Sequence, residues 1–184
     1  EQLCFPKLLR LAAPKEFPNV KFIGVKDVGR FEKADLPAQL IWAAYEKLSG
    51  ADAIMPPTVS FCFDREARTP AKIEELVSIS KGKMCFLPRR NYESYLLSPE
   101  AISAVVSETE FDEVLDLSPE RILATISSVA VETGMAGSKA WNGDLRNPLW
   151  LKQIDGAKLL ARVFSNVTRS KLSFNKTTHS VSLT

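Results

Sequence analysis

The chain has 184 residues, with 24 lysines and arginines against 22 aspartates and glutamates and a hydrophobic share of 45%. That length and apolar content suffice for one domain with a proper core and room for a small subdomain, and the near-neutral balance excludes a globally polybasic nucleic-acid binder. No apolar run approaches the roughly 18 residues of a membrane span and no signal peptide opens the chain, so a cytoplasmic protein without a membrane partner is expected.

Residues Gln2 to Ala12 place Leu3, Phe5, Leu8, Leu9 and Leu11 at near-helical spacing. The chain opens at Glu1, already inside this amphipathic pattern, and so reads as a fragment of a longer polypeptide. Val20 to Val25 is a short strand; Leu36 to Ser49 is a helix carrying Leu40, Ile41, Ala44, Tyr45 and Leu48, stopped by Gly50. Met55, Pro56 and Pro57 break the chain before an apolar, β-prone run from Thr58 to Phe63. Thr69 and Pro70 supply the N-cap and first residue of a helix over Ala71 to Ser80, which Gly82 ends, and Lys83 to Leu87 is another buried strand. Helix and strand alternate, so the expected class is α/β with a mostly parallel sheet. Sheets of this kind collect ligands at the carboxyl ends of their strands.

The second half changes character. Ser98-Pro99-Glu100 and Ser118-Pro119-Glu120 are near-identical helix starts, each a capping serine, a proline and a glutamate near the positive helix end. From Glu93 to Glu132 the acids are Glu93, Glu100, Glu108, Glu110, Asp112, Glu113, Asp116, Glu120 and Glu132, against Arg121 alone, which reads as an acidic helical insert. Beyond it Lys139, Arg146, Lys152, Lys158, Arg162, Arg169, Lys171 and Lys176 face only Asp144 and Asp155. That run reads first as solvated surface, and second as a track for a phosphate backbone.

Cys4, Cys62 and Cys85 are odd in number, lack CxxC spacing and lie among apolar neighbours, so they read as buried free thiols in a reducing compartment. With a single histidine, His179, they argue against zinc and against a Ser-His or Cys-His nucleophile. Neither GxGxxG nor GxxxxGK[ST] occurs, so any acid chemistry rests on carboxylates. The Thr58–Phe63 run stops at Asp64-Arg65-Glu66. Carboxylates at the end of a buried strand must be solvated, paired or bound to a cation. Two acids spaced i, i+2 on extended backbone point the same way and can share one hard metal ion; alternatively Asp64 starts the turn leading to Thr69. Glu93 lies just past the second strand, as a third such carboxylate or as a helix-start glutamate. Arg65, Arg89 and Arg90 flank these acids, where gripping phosphate and capping or surface roles both fit.

A strand ending in Asp64-Arg65-Glu66, a helix, a strand and then Phe86-Leu87-Pro88-Arg89-Arg90-Asn91-Tyr92-Glu93-Ser94-Tyr95-Leu96-Leu97 together resemble the Toprim domain of the OLD (overcoming lysogenization defect) family of nucleases. Glu93-Ser94-Tyr95-Leu96-Leu97 stands where that family has a Glu-Asn-Tyr-Leu-Leu-like segment, with Ser for Asn. Asp155-Gly156-Ala157-Lys158 and Phe174-Asn175-Lys176 are similar to its Gly-Lys-like helix and late lysine, although Ala157 intrudes. The resemblance implies a Toprim, Rossmann-like sheet flanked by helices: a catalytic core over residues 1–97, a helical subdomain inserted over 98–148, and a C-terminal helix and tail over 149–184 that return to the core.

It implies, further, a DNA endonuclease joined to an N-terminal ATPase domain, with a homodimer formed through the ATPase part. Asp64, Glu66, Glu93 and Glu1 would hold two divalent ions, Mg²⁺ or Mn²⁺, with Ca²⁺ as a non-productive occupant. Glu1 would be the second acid of the family's opening Glu-Gly-x-x-Asp/Glu motif, whose strand and first glutamate would lie upstream. Lys176, with Glu1, would act catalytically, and Arg65, Arg89, Arg90 and Lys158 would bind nucleic acid. Two other functions fit the same residues: a non-catalytic Toprim-derived binding or assembly module, and an RNA-cleaving effector.

Overall fold

The computed structural model describes residues 3–12 and 60–184; Glu1 and the expected elements over 20–25 and 36–49 lie outside them. Within the described residues the class is mixed α/β, with one small parallel sheet of two strands. Strand β1 (Phe61–Phe63) pairs in parallel with β2 (Met84–Phe86), with Phe61 opposite Met84, Cys62 opposite Cys85 and Phe63 opposite Phe86. Helix α2 (Pro70–Ile79) makes the crossover. It starts where the sequence demands: the Thr69 hydroxyl accepts the Lys72 N–H and proline takes the first turn. Gly82, at φ 77°, turns the chain into β2. Leu76 and Met84 are buried there, with Phe61, Phe63 and Phe86 packed on them, a small core of its own.

The alternation of the pleat corrects the expectation for two cysteines. Cys62 and Cys85 point away from that small core and are exposed, whereas Cys4 is buried as expected.

The larger core is helical. Helix α3 (Pro99–Ser107) and helix α4 (Pro119–Ala130) begin at Ser98 and Ser118, whose hydroxyls accept the N–H groups of Ala101 and Arg121. Two short elements, a 3₁₀ turn (Ser138–Ala140) and helix α5 (Pro148–Leu151), lead to helix α6 (Gly156–Val167). Helix α4 buries Ile122, Ile126, Val129 and Ala130, and α6 buries Leu159, Leu160, Val163, Phe164 and Val167; both runs follow the 3.6-residue period, and the two helices pack together. Ile102, Val105 and Val106 of α3 and Trp150 of α5 complete the same cluster. Residues of 98–148 and 149–184 thus share one core. Tyr92 belongs to it as well, with Phe5 of helix α1 (Cys4–Ala12) against its ring at 5.3 Å and its hydroxyl 2.8 Å from the Thr184 hydroxyl.

Ile126 is fully buried in the α4–α6 seam and Val114 is 98% exposed. Ile126→Ala should therefore lower unfolding stability by about 2–5 kcal/mol and Val114→Ala by less than about 0.5 kcal/mol, read by urea denaturation. Equal effects would mean that this seam is not the main core.

Candidate acidic site

The segment after β2 joins the small sheet to the helical core. Its backbone is tied on both sides: the Leu87 N–H donates to the Phe63 carbonyl (2.9 Å), the Glu66 N–H to the Arg90 carbonyl (2.6 Å), and the Arg90 N–H to the Leu151 carbonyl (3.0 Å). Asp64 Oδ1 accepts the Tyr92 N–H at 2.8 Å, so the end of β1 is held against the 3₁₀ turn (Tyr92–Tyr95) that carries Glu93.

That turn is clamped against the start of α6. Buried Asn91 accepts both the Ser94 hydroxyl (2.6 Å) and the Gly156 N–H (3.2 Å) through its Oδ1. A Cβ on Gly156 would lie 2.7 Å from the Glu93 carbonyl carbon and closer still to the Ser94 nitrogen. Only glycine admits so close a backbone approach. Asp155, the residue before it, caps α6 by accepting the Lys158 N–H at 3.0 Å.

Glu93, with a side chain only 6% exposed, is the centre of the site. Lys176 Nζ stands 2.7 Å from its Oε1, while its Oε2 is buried without a hydrogen-bond partner. Native structures rarely leave such an atom unsatisfied, and oxygen ligands suit a hard divalent cation. Among the described residues, however, no three acidic, histidine or cysteine side chains stand close enough to form a ready metal cage.

The acidic neighbours of Glu93 are recognisable from their electrostatics. Burial opposes the charge of Lys176, but the hydrogen bond to Glu93 and the negative charges of Glu93, Asp64 and Asp155 hold its ammonium above the ordinary range. Burial raises the Glu66 carboxyl above its usual value; Arg90 opposes that, Asp155 adds to it, Arg68 opposes it and Glu93 adds to it. The charges of Asp64, Glu93 and Asp155 thus all act on Lys176, which touches Glu93 alone among them, and Glu66 feels Glu93 and Asp155.

Glu66 reaches this position by an unexpected route. The strand ends at Phe63, and Glu66 has left-handed backbone at φ 52°, so the two acids do not project side by side from extended chain. Arg90 helps hold the turn, its Nε 3.9 Å from Glu66 Oε2.

The expected phosphate-binding residues separate into two groups. Arg89 donates to the Ser94 carbonyl (2.6 Å) and stacks on Tyr95 at 4.3 Å, and Arg90 donates to the Gln153 carbonyl (2.9 Å), so both guanidiniums serve internal contacts. Lys158 is exposed, 3.8 Å from Asp155 Oδ2, and Arg65 is partly exposed. Further along the basic run, Arg169 and Lys171 both pair with Glu113 of the acidic segment.

Lys176 is presented by a closed turn. The Asn175 side chain accepts the N–H groups of Thr177 and Thr178, and the Asn175 N–H donates to His179 Nδ1 at 2.9 Å. His179 stacks on Phe164 of α6, with ring centroids 5.1 Å apart. The sequence reading did not assign Asp155, Asn91 or Gly156 to the site. No local signal in the sequence reveals the turn that the Asp155-Gly156 start of α6 meets. No family model, curated protein or solved structure matches the chain.

Gly156→Ala should cost about 1–3 kcal/mol in urea denaturation through that backbone clash; an unchanged midpoint would refute the clamp. His179 supplies a pH test. Burial lowers its pKa below the ordinary 6.5, so as pH falls past 6.5 the unfolded chain takes up a proton that the folded chain refuses. Wild type should lose stability in that window, and His179→Gln should lose less; identical pH dependence would contradict the neutral Nδ1 acceptor.

Proposed function

We propose that the chain is a divalent-metal-dependent nuclease of the Toprim type that hydrolyses DNA phosphodiester bonds, the nuclease part of an OLD-like ATPase-nuclease. The observation that carries this reading is the buried Glu93 carboxylate, one oxygen on Lys176 and the other unpartnered, in a setting shared with Asp64 and Asp155. Asp64, Glu66 and Glu93 would hold Mg²⁺ or Mn²⁺, together with Glu1 or an upstream acid, and Asp155, whose charge acts on both Glu66 and Lys176, would join them. Such ions, when bound, activate water and stabilise the leaving oxygen.

The chain's own residues account for the rest. Lys176, 65% exposed, presents an ammonium beside the acids, where it can neutralise charge developing on a scissile phosphate. Arg65 and Lys158, both reachable from solvent, can fix the flanking phosphates. Asn91 and Gly156 keep the turn bearing Glu93 in place while substrate binds.

A second reading, a non-catalytic binding module of the same descent, is favoured by one observation. The Lys176–Glu93 pair already compensates the buried charge at one carboxylate oxygen with no metal involved.

Plasmid nicking with Mg²⁺ or Mn²⁺ separates the two. On the nuclease reading wild type nicks, Asp64→Ala and Glu93→Ala fall to background, and Lys176→Ala loses roughly 100-fold or more. Equal activity in the acid variants would exclude the metal mechanism, activity in no variant would favour the module, and cutting confined to labelled RNA in the same tube would change the substrate class. Binding can be read without activity: saturating Mn²⁺, at about 100 times its Kd, should stabilise wild type by about 2.7 kcal/mol, and Glu93→Gln should abolish that gain.

A further inference from the structure

We infer that Cys62 and Cys85 form a reversible dithiol–disulfide pair within one chain, oxidised by a small-molecule disulfide of the glutathione kind. The basis is register. The two residues are direct partners across β1 and β2, so their side chains leave the sheet on the same face. Neighbouring strands lie about 4.8 Å apart, inside the roughly 4.4–6.8 Å Cα separation that a disulfide requires. Phe61, Phe63 and Met84 turn to the small core, and both thiols are left exposed on the opposite face. Cys4 offers a contrast within the same chain: it is buried, with its thiol 3.6 Å from the Ser180 carbonyl oxygen that accepts it.

Two further features support the pair. The Cys62 thiol hydrogen-bonds Cys85 and, against a smaller opposing effect of burial, holds the Cys85 pKa down to about 7. Cys85 thus has thiolate character at neutral pH, and Cys62, its direct partner across the sheet, is placed to resolve what it forms. The link would also be easily reduced. Parallel neighbours hold their Cβ atoms farther apart than a relaxed disulfide prefers, and strained disulfides are the labile ones.

The chemistry balances in two exchanges. The Cys85 thiolate attacks one sulfur of glutathione disulfide; that S–S bond breaks, and one glutathione leaves with the electron pair and takes up the proton Cys85 released. The Cys62 thiolate then attacks the Cys85 sulfur of the mixed disulfide, and the second glutathione leaves in the same way. Two protein thiols and one glutathione disulfide become one protein disulfide and two glutathione thiols. This inference does not depend on the nuclease reading.

Tryptic cleavage after Arg65, Lys83 and Arg89 puts Cys62 and Cys85 on separate peptides. The full chain would be equilibrated with mixtures of reduced and oxidised glutathione, quenched in acid, alkylated and digested without reductant for mass spectrometry. The expected product is a Cys62–Cys85 linked peptide that grows with the oxidised fraction, vanishes with excess reduced glutathione, and leaves Cys4 unmodified. Cys62→Ser should stop at a stable glutathione adduct on Cys85. Glutathione on both thiols of wild type, links between separate molecules, or no linked peptide at any ratio would overturn the proposal.

Discussion

The close approach of Gly156 to the Glu93–Ser94 backbone is the constraint on which the site depends. Without a side chain at 156, the start of α6 sits directly against the 3₁₀ turn, and Asn91 locks the contact by accepting the Gly156 N–H. This one contact has consequences on both sides. It brings Asp155 toward Glu66 and Lys176, and it fixes Glu93 where its side chain must be buried. On the other side of the turn Asp64 accepts the Tyr92 N–H, so β1 is registered to the same backbone. Four distant segments meet because two backbone elements can touch.

Burial of Glu93 then sets the electrostatics. A carboxylate withdrawn from water needs compensation, which for one oxygen comes from Lys176. Lys176 is well suited to this because it is held at the tip of a turn rather than on a long helix face. Asn175 and His179 close that turn, and the stack of His179 on Phe164 roots it in the helical core. The remaining oxygen of Glu93 is what makes the site look receptive instead of merely structural, and it is why we propose a cation there. The arginines next to the acids do not compete for that role. Arg89 and Arg90 are occupied in holding the turn and the 151–153 segment, which leaves the partly exposed Arg65 and the exposed Lys158 open to solvent.

Much of this scaffold was legible in the sequence where the signals were local. Thr69-Pro70, Ser98-Pro99 and Ser118-Pro119 each announced a helix that starts there, because capping depends only on adjacent residues. Asp64, Glu93 and Lys176 could be singled out by their place after strands or an aromatic, and they do share one neighbourhood. Tertiary features were not legible. The left-handed turn at Glu66 follows from its hydrogen bond to Arg90, the exposure of Cys62 and Cys85 follows from which sheet face α2 covers, and Asp155 enters only through the Gly156 contact. None of these has a periodicity or spacing that a linear reading can detect. The Toprim likeness rests on short ordered motifs and stands as our proposal.

Anomalous scattering from crystals of the chain soaked in Mn²⁺ tests the central claim most directly, because it locates the ion without reference to turnover. The account predicts a peak about 2.0–2.3 Å from Glu93 Oε2, with an oxygen of Asp64, Glu66 or Asp155 in the same coordination shell. A Glu93 carboxylate satisfied by Lys176 and water alone, with no peak near it at saturating Mn²⁺, would contradict it.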